Sequence, residues 1–350
     1  YSLYITYIMS AKQDDSTHIY YNVRIDANEE TRKHATFSVN RTQAIIEKPD
    51  EYEMAVIRFA LPLTSVPLIV FRDNYYKVSL TYGTSVYTEN VVWVSNGNVF
   101  DDKYIYIVRD FLDLINTSLT TAFTSLKADY PAVTSTVAPF MSFSSISNLI
   151  TLNAPTSYLA DDIKIYANEG LYLKMNTFHD YYFQLPANGP LNYQFVIQDL
   201  FDNNVSYNGI DYIEATQQTA TIGTMSDLKS IEFLTSSIPV NRELQGDQKN
   251  ITTDFLTDFE PIESEKWYPG GVLSFYPQGP LRYIDLLAKD PMHRFDLVIN
   301  WKAKNGESYP YYLQGDQSLT IKVLFRKKQE YSLKEFIDER IEEKIETMKL

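Results

Sequence analysis

Carboxylates gather most densely at Asp254, Asp258, Glu260, Glu263 and Glu265. Close carboxylates can ligate Ca²⁺ through oxygen or act as the acid and base of a glycosidase. This spacing matches no EF-hand loop, and a glycosidase pair is usually drawn from separate strands. The segment therefore reads first as a solvated acidic loop, ordered by side-chain to backbone bonds from Asp254, Asp258 and Glu260. The 4 histidines, His18, His34, His179 and His293, never stand at the helical spacing of a zinc pair. There is no Gly-x-Ser-x-Gly elbow, no Walker loop and no dinucleotide-binding glycine pattern. With 0 cysteines, disulfides, thiolate zinc sites, iron–sulfur clusters and cysteine nucleophiles are excluded. The expected catalytic residues, metal ligands and cofactors are none.

Charge narrows the partners. Asp and Glu number 45 against 31 Lys and Arg, a net charge of −14. Such a chain repels a phosphate backbone at long range, so direct nucleic-acid binding is not expected. The strongest basic run, Arg326-Lys327-Lys328, reads as a solvated strand end. Arg282 and Asp285 alternate with Leu281, Tyr283 and Ile284. They could pair across a subunit boundary or within one subunit. No apolar run approaches the length of a transmembrane helix. The sequons at Asn40, Asn116, Asn204 and Asn250 read as chance matches.

The elements that must position these groups are mostly short strands. Apolar and polar residues alternate over 17–25, 52–60, 75–82, 85–94, 148–152, 163–166, 193–198, 228–234, 272–276, 295–302 and 319–325. Turn-forming residues bound these runs, the pattern of an antiparallel sandwich or barrel. Asn305-Gly306 marks a hairpin turn. A helix is expected over 110–129. There Phe111, Leu112, Ile115, Leu119, Ala122, Phe123 and Leu126 share one face, Asp110 is the N-cap and Pro131 marks the exit. The Ser/Thr-rich stretch 117–147 reads as that helix followed by a loop excursion.

A second helix is expected over 332–349, opened by the capping box Ser332-Leu333-Lys334-Glu335. Leu333, Phe336, Ile337, Ile341, Ile345 and Met348 form its narrow apolar stripe. Either it packs on its own domain, or it docks on a partner as a coiled-coil-like seam. At the other end, the first methionine is Met9, and residues 1–8 read as lying upstream of the natural start.

Particular segments resemble a known family. One is Leu228-Lys229-Ser230-Ile231-Glu232-Phe233-Leu234-Thr235-Ser236-Ser237-Ile238-Pro239, followed by the Asp254 segment. Another is Tyr276-Pro277-Gln278-Gly279-Pro280-Leu281-Arg282-Tyr283-Ile284-Asp285. The stretches 301–313, 318–328, 19–25, 35–46 and 52–62 complete the pattern. Together they resemble the minor capsid, or penton, proteins of polinton-like viruses, virophages and related eukaryotic DNA viruses.

That resemblance implies an all-β jelly-roll sandwich assembled into fivefold vertex capsomers of an icosahedral capsid. It implies no catalytic residues. The implied partners are further copies of the chain, as a homopentamer, and the major capsid protein of the same virus. The implied location is the virion vertex, after synthesis in host cytoplasm or nucleus. The strand signals outnumber the eight of one jelly roll, so a second β-domain or a large insertion is expected. The organisation read from the sequence is an arm over 1–16, a β-domain over 17–205 with a helical insertion near 110–129, a second β-rich region over 206–330, and a helix over 331–350. The boundary falls in the turn-rich stretch 199–209. Two other functions are weighed against the capsid role: a carbohydrate- or receptor-binding β-sandwich, which would touch a host glycan or receptor, and a β-sandwich hydrolase.

Overall fold

Alternation makes the first strands two-faced. In β1 (His18–Asp26), Tyr21, Val23 and Ile25 are buried while Tyr20, Asn22 and Arg24 face solvent. That is the period-2 pattern of a half-buried strand. β2 (Thr36–Asn40) and β3 (Tyr52–Pro62) follow. The structure is a computed structural model and describes residues 18–27, 33–94, 103–183, 191–197, 203–240, 254–260, 271–275 and 281–328.

After β3 the chain makes a long excursion. It runs through β4 (Lys77–Tyr82), β5 (Ser85–Asn90), α1 (Val108–Asp129), β6 (Phe140–Phe143), β7 (Ile150–Pro155) and β8 (Lys164–Ala167). β9 (Asp180–Tyr182), β10 (Tyr193–Phe195), β11 (Asn203–Tyr207) and β12 (Ile210–Thr216) complete it. One sheet has the order β9-β10-β8-β4-β5 and the other β11-β12-β7-β6. α1 presents the face read from the sequence, with Phe111, Leu112, Ile115, Leu119, Ala122, Phe123 and Leu126 all buried. Its Ser/Thr content is accommodated because Thr117, Thr120, Thr121 and Thr124 donate to the carbonyls four residues back, at 2.8–3.0 Å.

The chain then returns through β13 (Leu228–Thr235), β14 (Asp254–Phe259), β15 (Val272–Phe275), β16 (Ile284–Asp285), β17 (Arg294–Ala303) and β18 (Ser318–Lys327). β1-β18-β3-β15 form one sheet, with β16 also against β3. β14-β13-β17-β2 form the other. Every pairing is antiparallel. Each sheet has five strands, the second completed by Ser308–Pro310 against β17, and the two facing sheets make a jelly roll. Phe59 of β3 bridges them, its ring centroid 5.3 Å from that of Phe233 and 5.0 Å from that of Phe259.

Two hydrophobic cores settle the organisation. All buried members of one lie within residues 68–225, and those of the other lie within 21–66 and 228–325. The division expected at 199–209, separating 17–205 from 206–330, is therefore corrected. The first strand of the jelly roll pairs with its last, His18 opposite Arg326, so the sandwich is closed by both ends of the described chain. The second β-rich unit is an insertion between β3 and β13. The described part of that stretch, 203–209, belongs to a hairpin inside that insertion. Asn208 and Gly209 have φ of +51° and +77°, and Tyr207 stands opposite Ile210. Positive φ at both central residues is the type I′ geometry that Asn-Gly favours.

Two smaller expectations also change. The N-cap of α1 is Ile107, and Asp110 sits within the first turn. The excursion after α1 contains the strand β6. The expected arm, the start at Met9 and the helix over 331–350 lie outside the described residues.

Candidate functional site

The acidic segment is a strand where a loop was expected. Asp254 opens β14 opposite Thr235, and Asp258 stands opposite Glu232. β14 is an edge strand, and Asp258 and Glu260 are exposed on it or just past its end. Glu232 is buried, accepts from Ser308 Oγ at 2.6 Å and has Lys302 Nζ at 3.8 Å. Glu263 and Glu265 lie outside the described residues. Among the described residues no group of three or more His, Asp or Glu is placed to hold a metal ion.

The basic run lies at the end of the last strand, partly solvated as read from the sequence, and is ion-paired to carboxylates of its own chain. Arg326 donates to Glu53 through Nε at 2.7 Å and through Nη2, and its guanidinium lies 3.6 Å over the Tyr283 ring. Lys327 Nζ is 3.1 Å from Glu51, which also binds Lys48 at 2.9 Å. The Lys48 and Lys327 bonds hold the Glu51 carboxyl below the ordinary range. Lys328 Nζ is 3.1 Å from Asp285 and donates to the Asp50 carbonyl at 2.9 Å. β16 puts Asp285 opposite Glu53 of β3, next to these cations. Arg282 lies 5.5 Å over the Phe255 ring. The structure does not bring Arg282 and Asp285 together as a pair. Leu333, Phe336, Ile337, Ile341 and Ile345 lie outside the described residues.

Sequence reasoning missed Asp296. It sits mid-sandwich at the start of β17, buried to 5% exposure. One carboxylate oxygen accepts from Thr235 Oγ1 at 2.9 Å and Ser237 N at 2.8 Å, and also from Ser237 Oγ. The other accepts from Ser236 N at 3.0 Å and Ser236 Oγ at 2.7 Å. Burial pushes its pKa up, but the bonds from Ser237, Ser236 and Thr235 outweigh that and hold it below the ordinary value. Its signal in sequence was the Thr235-Ser236-Ser237 run, which needs an acceptor.

The geometry thus offers ion-paired strand ends and a carboxylate clamp. The family model for the Sputnik minor capsid protein V18/19 matches residues 19–327. The chain belongs to that family. Membership makes it a structural component of a virion and not an enzyme. Structural protein V19 of Sputnik virophage is 25% identical over 206 residues, which span 53% of this chain and 93% of the relative. The uncharacterized protein V18 of the same virophage is 27% identical over 141 residues, 31% of this chain and 84% of the relative.

Solved structures carry the same fold. A chain of the Sputnik virophage, solved by cryo-electron microscopy at 3.5 Å, matches with a TM-score of 0.73 at 24% identity. It covers 90% of this chain and 99% of its own length. The crystal structure of the mavirus penton protein matches with a TM-score of 0.66 at 18% identity, covering 89% and 99%.

In this V18/19 family member, the insertion is fastened to the jelly roll at Asp227. Its carboxylate accepts from Val70 N at 2.9 Å and from Lys174 Nζ at 2.7 Å. Its backbone N–H donates to Leu68 at 3.2 Å, and its carbonyl accepts from Lys304 N at 2.8 Å. Both connecting segments and both units make contact with Asp227. Burial pulls the Lys174 pKa down against the raising effect of Asp227. Across the same junction Tyr104 packs edge-on against Trp301 and Tyr309, at 6.3 and 6.0 Å.

Proposed function

We propose that this chain is a penton protein, forming homopentamers that occupy the fivefold vertices of an icosahedral capsid and seat against the major capsid protein. The observation carrying this reading is the jelly roll closed by both ends of the described chain, together with its likeness to the mavirus penton protein over 89% of the chain. A sandwich of short strands has short edges and broad faces suited to lateral packing. Five copies in a ring make heterologous contacts that close on themselves. Arg282 and the ion-paired Asp285 are exposed, as are Asp258 and Glu260. The apolar stripe of Leu333, Phe336, Ile337, Ile341 and Ile345, read from the sequence and outside the described residues, would be the docking segment.

Electron microscopy of the chain mixed with its major capsid protein tests the reading. The expected result is density for the jelly roll at the vertices, lost or weakened on deletion of residues 332–350. Density on the triangular faces instead would overturn it.

A second reading, contact with a host surface, draws on Tyr181, Tyr182 and Phe183, which are 57%, 59% and 39% exposed at the edge of the insertion. Aromatic platforms suit sugars. A glycan array on which binding disappears with Tyr182→Ala would support it, and an array without hits would remove it.

A further inference from the structure

The two outer edges of the β11-β12-β7-β6 sheet are finished differently. At β6, Asn116 of α1 takes the place of a further strand. Its side-chain amide donates to the Met141 carbonyl at 2.9 Å and accepts from the Met141 N–H at 2.6 Å. At β11 no strand lies beyond among the described residues, and Asn204, Val205, Ser206 and Tyr207 are all exposed. Natural edge strands are blunted by charge, proline or a bulge. β11 reads Asn-Asn-Val-Ser-Tyr and pairs with β12 in unbroken register, so it has none of the three.

The turn fixes which backbone groups of β11 face outward. The two-residue type I′ turn at Asn208-Gly209 closes on the hydrogen-bonded pair Tyr207 and Ile210. Bonded and non-bonded pairs alternate from there. Val205 therefore bonds back to Tyr212, while Asn204 and Ser206 aim their N–H and C=O groups away from the sheet.

We propose that β11 pairs antiparallel with β11 of a second copy of this chain, about a twofold axis at Val205. Asn204 then stands opposite Ser206 of the second copy, and Ser206 opposite its Asn204. Every outward N–H and C=O of these residues finds a partner. Val205 meets Val205 at a non-bonded pair, where side chains approach most closely, with Tyr212 behind each. The carboxylates of β12, Asp211 and Glu214, stand opposite Ser206 and Asn203, so none faces a carboxylate across the new pair. Copies with a net charge of −14 repel one another, and an uncharged edge is where they can meet. A strand of 5 residues buries little area, which makes the contact weak and dependent on concentration. A twofold contact does not join neighbours within a fivefold ring. The pairing therefore goes beyond the ring reading, joining copies of different rings or single copies, and stands or falls apart from it.

The chain has 0 cysteines, so one introduced cysteine gives one possible crosslink. Val205→Cys in the full chain, mildly oxidised at high protein concentration, should give a disulfide-linked pair of chains on a non-reducing gel. Cα atoms about 4.5 Å apart at a non-bonded pair suit that bond. Thr88→Cys, also exposed but on the edge strand β5, should give none. Val205→Lys and Val205→Glu each set like charges opposite one another. Val205 is 38% exposed, so a single copy should keep its melting temperature. Association should weaken at least roughly tenfold in a light-scattering concentration series, about 1.4 kcal/mol. A mixture of the two variants should associate again, because opposite charges then face each other. Salt of order 0.5 M should strengthen wild-type pairing by screening the net repulsion. If Val205→Cys crosslinks no better than Thr88→Cys, or the Lys and Glu variants associate like wild type, the pairing is overturned. Association lost in both variants and not restored in the mixture puts some other segment on β11 and also overturns it. A wild-type mass of five copies that never doubles overturns the pairing and leaves the ring reading. A wild-type mass of two copies, without rings, overturns the ring and leaves the pairing.

Discussion

Asp296 shows how one side chain can order a corner of the sandwich. Its carboxylate takes up the backbone and hydroxyl donors of Ser236 and Ser237 and the hydroxyl of Thr235, in a buried position. Removing the acceptor leaves those donors unsatisfied, at roughly 1–3 kcal/mol for each buried group. Asp296→Ala should therefore lower stability by at least about 2 kcal/mol, measured by urea unfolding. Because the folded pKa lies below the ordinary 3.8, this contribution is full above that value and is lost as pH falls through the folded pKa. The mutant should accordingly differ most from wild type near neutral pH and converge with it in acid. At the junction, Asp227→Ala strands the part-buried Lys174 and releases the Val70 N–H. It should destabilise by about 3 kcal/mol, while Lys174→Met in the same chain recovers part of the loss. A double-mutant cycle showing no coupling would contradict the junction as described. Asp227 left no signal in the sequence and Asp296 only the indirect one of the Thr235-Ser236-Ser237 run, because a lone Asp gains meaning only when the fold supplies its donors.

Elements were more legible than their connections. The alternating runs at 52–60, 228–234, 295–302 and 319–325 became the long central strands β3, β13, β17 and β18. The apolar face of α1 was readable residue by residue, since helical periodicity over 22 residues leaves little ambiguity. β14 was missed as a strand because alternation there is broken: a bulge at the Phe233/Leu234 register shift puts two residues opposite one. The hairpin at Asn208-Gly209 was recognised as turn-rich and read as a boundary. A turn signal alone does not say whether the strands it joins belong to one sheet or to two bodies. Gly209 has φ of +77° and open space around it, so substitution there strains the backbone alone. Gly209→Val should cost roughly 1–2 kcal/mol, with Gly209→Asn costing less because Asn tolerates the left-handed region. A stability assay ranking Asn at or below Val would contradict the type I′ turn.

For the whole molecule, the sequence showed an all-β chain with more strands than one jelly roll needs, and the family resemblance supplied the architecture. The nesting was not legible, because an insertion between β3 and β13 depends on His18 finding Arg326 across the length of the chain. No local pattern encodes that pairing. Once formed, it yields a jelly roll with an inserted unit fastened at Asp227. The V18/19 family membership fits a body whose purpose is contact and not catalysis. The central claim is that such bodies close into a fivefold ring. Native mass spectrometry of the purified full chain tests it most directly. The account predicts a species at about five times the 40.5 kDa of one copy. A single-copy mass at every concentration and salt would contradict it.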